Sequence, residues 1–570
     1  MKKRNSSYLV TAAVLVVAQA SLTSAPVFGE EVESPDIHVA TVDSISGSSA
    51  LVNSKPVVGT VIEDNGIKYK VLSVDGDKPK VQIGNGLYPI QFTAEQDDKP
   101  YRIPSEVVIS GVTYEVTRVA EEALAYYADE SGLLTYYPSS IEIPSSVTII
   151  EKNGFKGSKA KTVSFEAGSQ LTKIEDGAFS FTELEEVLLP ASLEYIGNRG
   201  FDFNEKLRKV SFEQGSKLEM IAHEAFSNLP KLEEIILPKS VKTIGNALFR
   251  HSSGLKSVYV EEGNEAIVSQ DGILYSRDMS KLIYYPARKS GDTYRTPDSV
   301  KQIEAFAFNF NQFLKNVEIG EGVEVLPTFV FADALALEKV TLPLSLKKIE
   351  RLAFYGNLEL KELTIPNQVT EFGENPFNGL PKLETLVLGK GVREIPRKFL
   401  AGRLDSLKEI RLLNKDDKFS VQETSFDVPE TVKFIVQTQS IKEKLAPNLS
   451  KGNPISIEEM NPEDINSVET KSEEAGKEEK TAGTTPAISH TSERERKDFA
   501  SEIKKMDMKD KEPVSSDKQD AGMKKHHVLS SKVQAILPST GSKVQQLYAL
   551  IGVITLIVGA VFLLVKKQKR

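Results

Sequence analysis

The chain has 570 residues, 40% of them apolar, and a formal net charge of −9. That length suits two or three ordinary domains or one long repeat array, and mild acidity without a basic stripe outside the termini argues against a nucleic-acid partner. Cysteine is absent, which excludes disulfide staples, thiolate metal sites and a cysteine nucleophile.

Residues 1–29 read as an export signal. Lys2, Lys3 and Arg4 precede a mostly apolar run from Tyr8 to Val17, and small-x-small cleavage sites follow at Ala18-Gln19-Ala20 and Val27-Phe28-Gly29. Residues 30–139 are expected to hold a linker and a small β-rich N-terminal cap. "GIKYKVLSVDGDKPKVQIGNG" (66–86) and "SEVVISGVTYEVTRVAEEAL" (105–124) alternate apolar and polar residues as paired strands do. Asp75 and Asp77 in "VDGD" read as turn residues, because the other ligands of a calcium loop are missing.

Internal periodicity dominates residues 140–425. Phenylalanine recurs at 155, 179, 201, 226, 249, 308, 331, 354, 377 and 399, usually after a small residue and mostly 22 to 25 residues apart. Each sits in a longer phrase, as in "LEEVLLPASLEYIGNRGF" (184–201), "LEEIILPKSVKTIGNALF" (232–249) and "LEKVTLPLSLKKIERLAF" (337–354). Val340 and Leu342, two apart, put both side chains on one face of a short strand, and Pro343 ends it. Leu346, Ile349 and Phe354 return to the interior. One such unit cannot close a core, whereas stacked copies cover each other's apolar edges. The interval from Phe249 to Phe308 holds extra residues, an insert at about 261–296, where Asp271-Gly272 marks a hairpin turn. Residues 426–452 are expected to cap the C-terminal end.

The phrase resembles the BspA-like (Treponema-type) leucine-rich repeats of bacterial surface proteins. That resemblance implies a leucine-rich-repeat solenoid of short stacked strands, and a role in adhesion to host cells or matrix. It departs from better-known leucine-rich repeats: the asparagine or cysteine that bonds the turn backbone is expected to be replaced by the proline phrase.

From 453 to 536 the chain is charged and nearly free of aromatics. Such a stretch buries too little apolar surface to offset its ordering entropy and reads as a disordered wall spacer, with an r.m.s. span of about 50 Å. His526-His527 within it lack further ligands at metal spacing. At 537–570, Leu537-Pro538-Ser539-Thr540-Gly541 precedes an uncharged apolar run, Leu547 to Val565, and the basic end Lys566, Lys567, Lys569 and Arg570. The run alone is long enough to span a bilayer. The order of parts resembles the LPxTG cell-wall sorting signal of Gram-positive surface proteins. That resemblance implies sortase as a processing partner, cleavage between Thr540 and Gly541, and a covalent bond from Thr540 to peptidoglycan. The mature protein is then secreted and wall-anchored.

No catalytic constellation emerges. "HEAF" (223–226) begins like a zinc-protease motif but lacks its second histidine, and Phe226 is the repeat's own phenylalanine. No cofactor or metal is expected, and the chain reads as non-enzymatic. Leu188, Ile236, Tyr259 and Val387 are apolar at strand positions that the pattern turns to solvent, so they are the candidate ligand face. A host surface, matrix or serum protein is the expected ligand. A haem or metal capture receptor would need histidine or tyrosine clusters, and a wall glycan hydrolase a paired-carboxylate cleft.

Overall fold

The computed structural model describes residues 56–126, 136–449 and 451–458. Within them the chain winds as a solenoid with three faces per coil, each face generated by one part of the repeat phrase.

The first face is a ladder of strands mostly four residues long. It comprises sheets of five, two, three and five strands, running from Pro100–Arg102 through Glu186–Leu189 and Lys209–Phe212 to Lys433–Val436 and Ile455–Ile457. The strands pair in parallel and in register, so Val187 lies beside Val210 and Leu363 beside Leu386. Buried aliphatics alternate with outward residues, as period-two pleating requires. The proline that follows has no N–H to extend the ladder. Its carbonyl instead accepts the N–H three residues on, Leu193 to Pro190 at 3.1 Å and Leu346 to Pro343 at 3.2 Å. That turn redirects the chain.

A second ladder follows the turn, and the sequence phrase did not announce it. Two-residue strands such as Lys173–Ile174, Tyr195–Ile196 and Met220–Ile221 pair in parallel, each burying its isoleucine. Strands before the array join it in parallel: Lys80–Ile83 pairs with Val112–Val119, which pairs with Ile149–Ile150. Two-residue turns at Asn65-Gly66 and Ser110-Gly111, all with positive φ, close the hairpins in this N-terminal segment.

The third face is the phenylalanine corner. Phe155, Phe179, Phe201 and Phe226 stack in sequence with centroids 4.7, 5.2 and 5.6 Å apart and are fully buried. Each phenylalanine N–H donates to the next coil, Phe179 to the Gly200 carbonyl and Phe201 to that of Ala225. The two corner residues flanking the phenylalanine at −2 and +2 take left-handed backbone in most coils, Arg199 and Phe203 around Phe201 for example. Gly245 stands where coils approach closely: a Cβ there would meet the His223 nitrogen at 2.4 Å.

One expectation needs correction here. An asparagine does bond the turn backbone in some coils, three residues after the phenylalanine. Asn204 Nδ2 donates to the carbonyls of Phe179 and Phe201, and its Oδ1 accepts from the Thr182 N–H at 2.6 Å. Asn311 and Asn357 repeat the role toward Pro286 and Phe331, and Ser252 fills it toward Phe226. A polar residue recurs at this corner because buried carbonyls require partners.

The insert is a hairpin, Ile267–Gln270 with Ile273–Ser276, turned at Asp271-Gly272 and followed by Lys281–Tyr284. It interrupts the wide ladder between Ser257–Val260 and Thr293–Arg295. The buried core accordingly divides into two clusters that meet at the insert. At the C-terminal end the helix Gln439–Leu445, capped by Thr438 Oγ1, buries Ile441 and Leu445. The spacer expected from 453 does not take in Ile455–Ile457, which is a ladder strand pairing with Lys433–Val436. Asn453 Nδ2 fixes its approach by donating to the Pro429 carbonyl at 2.7 Å.

Candidate ligand-binding face

On a parallel in-register ladder, outward side chains align in columns, each about 4.8 Å from the next. Leu188 and Tyr259 are exposed in such a column, at 53% and 43%. Ile236 and Val387, expected in solvent, are only half-exposed. The reason is local: Ile236 is the register partner of Tyr259, and Val387 that of Arg411, both larger side chains. Leu188 and its register partner Ser211 lie in the five-stranded sheet and the Ile236–Tyr259 pair in the two-stranded sheet next to it, with Lys209–Phe212 packed beside Glu234–Leu237. Val387 belongs to another sheet, beyond the insert, with Thr364 and Arg411 as neighbours. Three of the four candidate residues therefore form one neighbourhood and Val387 does not.

Charged residues on the same surface are paired between coils. Lys256 Nζ lies 2.7 Å from Glu233 and Lys361 Nζ 2.8 Å from Glu338. Such pairs tie coil to coil through solvent and each contributes little.

Titratable groups gather instead at the phenylalanine corner. Burial pushes the Glu224 carboxyl up, but hydrogen bonds from Arg199 at 2.6 Å and Arg250 at 2.8 Å outweigh it and hold the group below the usual carboxylate range. Burial raises Asp333 to about 6. Burial, helped by Arg250, lowers His251 to about 4, and its Nδ1 sits 3.3 Å from Asn228 Oδ1. His223, the histidine of "HEAF", is on the surface with its Nε2 3.7 Å from Glu224. Among the described residues no group of three or more histidines and carboxylates could hold a metal ion.

The sequence pattern missed a cleft of about 380 Å³ at the edge of the insert, lined by Tyr259, Lys256, Arg288, Lys289 and Phe313 among others. Its residues come from a strand, a hairpin tip and two loops, so no period links them.

Leu537, Pro538, Ser539, Thr540 and Gly541, the apolar run and His526-His527 lie outside the described residues. Among those described, no helix is long and apolar enough to cross a membrane.

Comparison with known proteins completes the picture. A family model of the BspA type leucine rich repeat region matches in six copies over residues 135–256 and 288–412, leaving the insert between the two blocks. A model of the LPXTG cell wall anchor motif matches residues 530–570. Neither model is of a catalytic family. The crystal structure of the pneumococcal vaccine antigen PcpA is 54% identical, with a TM-score of 0.70, and the match covers 71% of this chain and all of that one. A leucine rich cell surface protein from Faecalibacterium prausnitzii A2-165 shares the fold at 20% identity and a TM-score of 0.51, over 64% of this chain and 97% of its own. No match was found among curated proteins.

Proposed function

The chain belongs to the BspA-type leucine-rich-repeat surface proteins and is anchored to the Gram-positive cell wall, and from that premise we propose that it is a non-enzymatic adhesin. Its solenoid binds a host surface, matrix or serum protein, and the Leu188–Ile236–Tyr259 neighbourhood is the contact. The observation that carries this reading is the exposure of Leu188 and Tyr259 on a rigid ladder whose other outward positions are largely polar or charged. Large apolar side chains held in solvent by an in-register sheet mark an interaction surface. Register supplies rigidity, so little side-chain and backbone order has to be gained on binding.

Display follows from the sorting signal. The sortase thiolate attacks the Thr540 carbonyl, the Thr540–Gly541 amide breaks, and Gly541 leaves with the new amine. A peptidoglycan amine then displaces the thiolate and forms an amide with Thr540. Pro538 holds the segment in an extended, kinked form that a groove can read. The N-terminal strands cover the apolar edge of the first coils, and residues 459–536 hold the solenoid away from the wall. Host matrix and serum proteins offered to bacteria displaying the full chain test the reading. Saturable capture of a defined protein, absent from a strain lacking the chain, is expected. Capture of none would refute it.

A further inference from the structure

The insert breaks the regular run of the wide ladder between Ser257–Val260 and Thr293–Arg295. Where the ladder stops at Ser257–Val260, the hairpin tip folds back over it: the Gly272 carbonyl accepts the Val258 N–H at 2.9 Å, and Ser269 Oγ donates to the Val258 carbonyl at 2.6 Å. Arg288 is tied to the same place through its N–H, which donates to the Leu255 carbonyl at 2.8 Å. The cleft opens between these pieces.

Its lining combines three cations with one carboxylate and two exposed rings. Two of the cations are occupied. Lys289 Nζ bonds the Asp271 carboxylate at 2.8 Å and the Asp271 carbonyl at 2.7 Å, and Lys256 is bonded to Glu233. The Arg288 guanidinium makes no side-chain hydrogen bond or ion pair among the described residues, although the Glu233 carboxylate feels its charge through space. It stands exposed beside Tyr259 and Phe313, with Ser257 and Ser290 as neutral hydrogen-bonding neighbours.

We propose that this cleft binds an acidic saccharide, with Arg288 pairing its carboxylate or sulfate and the Tyr259 and Phe313 rings packing against sugar faces. A guanidinium fork matches the planar geometry of an oxyanion better than an ammonium does. The electron-rich faces of the two rings attract the polarised C–H groups of a sugar. The volume lies at the low end of ligand sites, about 300–1,000 Å³, and suits a short oligosaccharide unit. An acidic peptide fits less well. It would gain most of its affinity by adding a strand to the sheet, and the insert already holds both backbone groups of Val258. The site goes beyond the protein-binding face, sharing only Tyr259 with it.

Bacteria displaying the full chain provide the test. They are offered labelled sulfated glycosaminoglycan fragments, hyaluronan fragments, sialylated oligosaccharides and a neutral oligosaccharide. At least one acidic probe binds saturably, weakens as salt rises, and loses at least about tenfold in affinity in Arg288→Ala, while the neutral probe does not bind. Which acidic probe binds tells a sulfate from a carboxylate. Phe313→Ser, on a separate loop, weakens the same probe. Leu188→Ser leaves saccharide binding unchanged, and Arg288→Ala leaves protein capture unchanged, so either reading can fail alone. The proposal is overturned if no acidic probe binds, if Arg288→Ala binds as wild type does, if the neutral probe binds equally, or if an acidic peptide binds through Arg288 in their place.

Discussion

The His251 N–H donates to Asn309 Oδ1 at 3.2 Å although 58 residues separate them in sequence. This contact carries the phenylalanine corner across the insert. The His251 and Phe310 rings lie 4.5 Å apart, and Asn309 Nδ2 donates onward to the Ala332 carbonyl at 2.7 Å. Below them Phe249 meets Tyr284, and the next residue, Tyr285, meets Phe308, so two adjacent tyrosines bridge the stack. The insert leaves the wide ladder but not the corner. Asn309→Ala is expected to leave the part-buried His251 N–H unpaired and to remove one of the two donors to the Ala332 carbonyl, which keeps the Phe310 N–H, at a cost of about 1 kcal/mol. Denaturant unfolding of the variant would show a lower midpoint; an unchanged midpoint would mean that the corner is not continuous.

Asp333 gives a pH signature. Its carboxyl is raised to about 6 by burial, above the unfolded value near 4. The folded state therefore binds the proton more tightly, and its relative stability falls as pH rises between those values. Asp333→Asn removes the ionisation and suits the positive φ at this position. The variant should melt higher than wild type at pH 7.5 and alike at pH 3.5. Equal melting at both pH values would contradict the burial of the charge.

The sorting signal can be tested by fractionation. Thr540→Ala or Pro538→Ala should shift the protein from the wall fraction into membrane or medium, because the transpeptidase loses either its acyl donor site or the kinked backbone it reads. Wall attachment at the wild-type level would sink the cleavage assignment.

The sequence made the solenoid legible through two regularities, the V-x-L strand and the recurring phenylalanine. Both are set by the core and so repeat wherever the core repeats. What escaped notice is either too short to make a pattern or local to a few coils. The two-residue strands at positions such as Lys173–Ile174 bury one isoleucine each, too little to stand out as a strand pattern. The role of Asn204 appears only when the carbonyls it bonds are known to be buried. Ile236 looked exposed because periodicity gives direction but not the size of a neighbour such as Tyr259. The cleft was illegible for a further reason: Lys256, Arg288 and Phe313 are joined by the path of the insert and by no spacing.

The central claim is that a wall-displayed ladder binds a host protein through Leu188, Ile236 and Tyr259. Its most direct test is the affinity of the captured host protein for the displayed wild-type chain and for Leu188→Ser/Ile236→Ser/Tyr259→Ser, with thermal melting as the folding control. Loss of at least about tenfold in affinity, or about 1.4 kcal/mol, with an unchanged melt is the result expected. Equal affinity for both chains would place the binding face elsewhere.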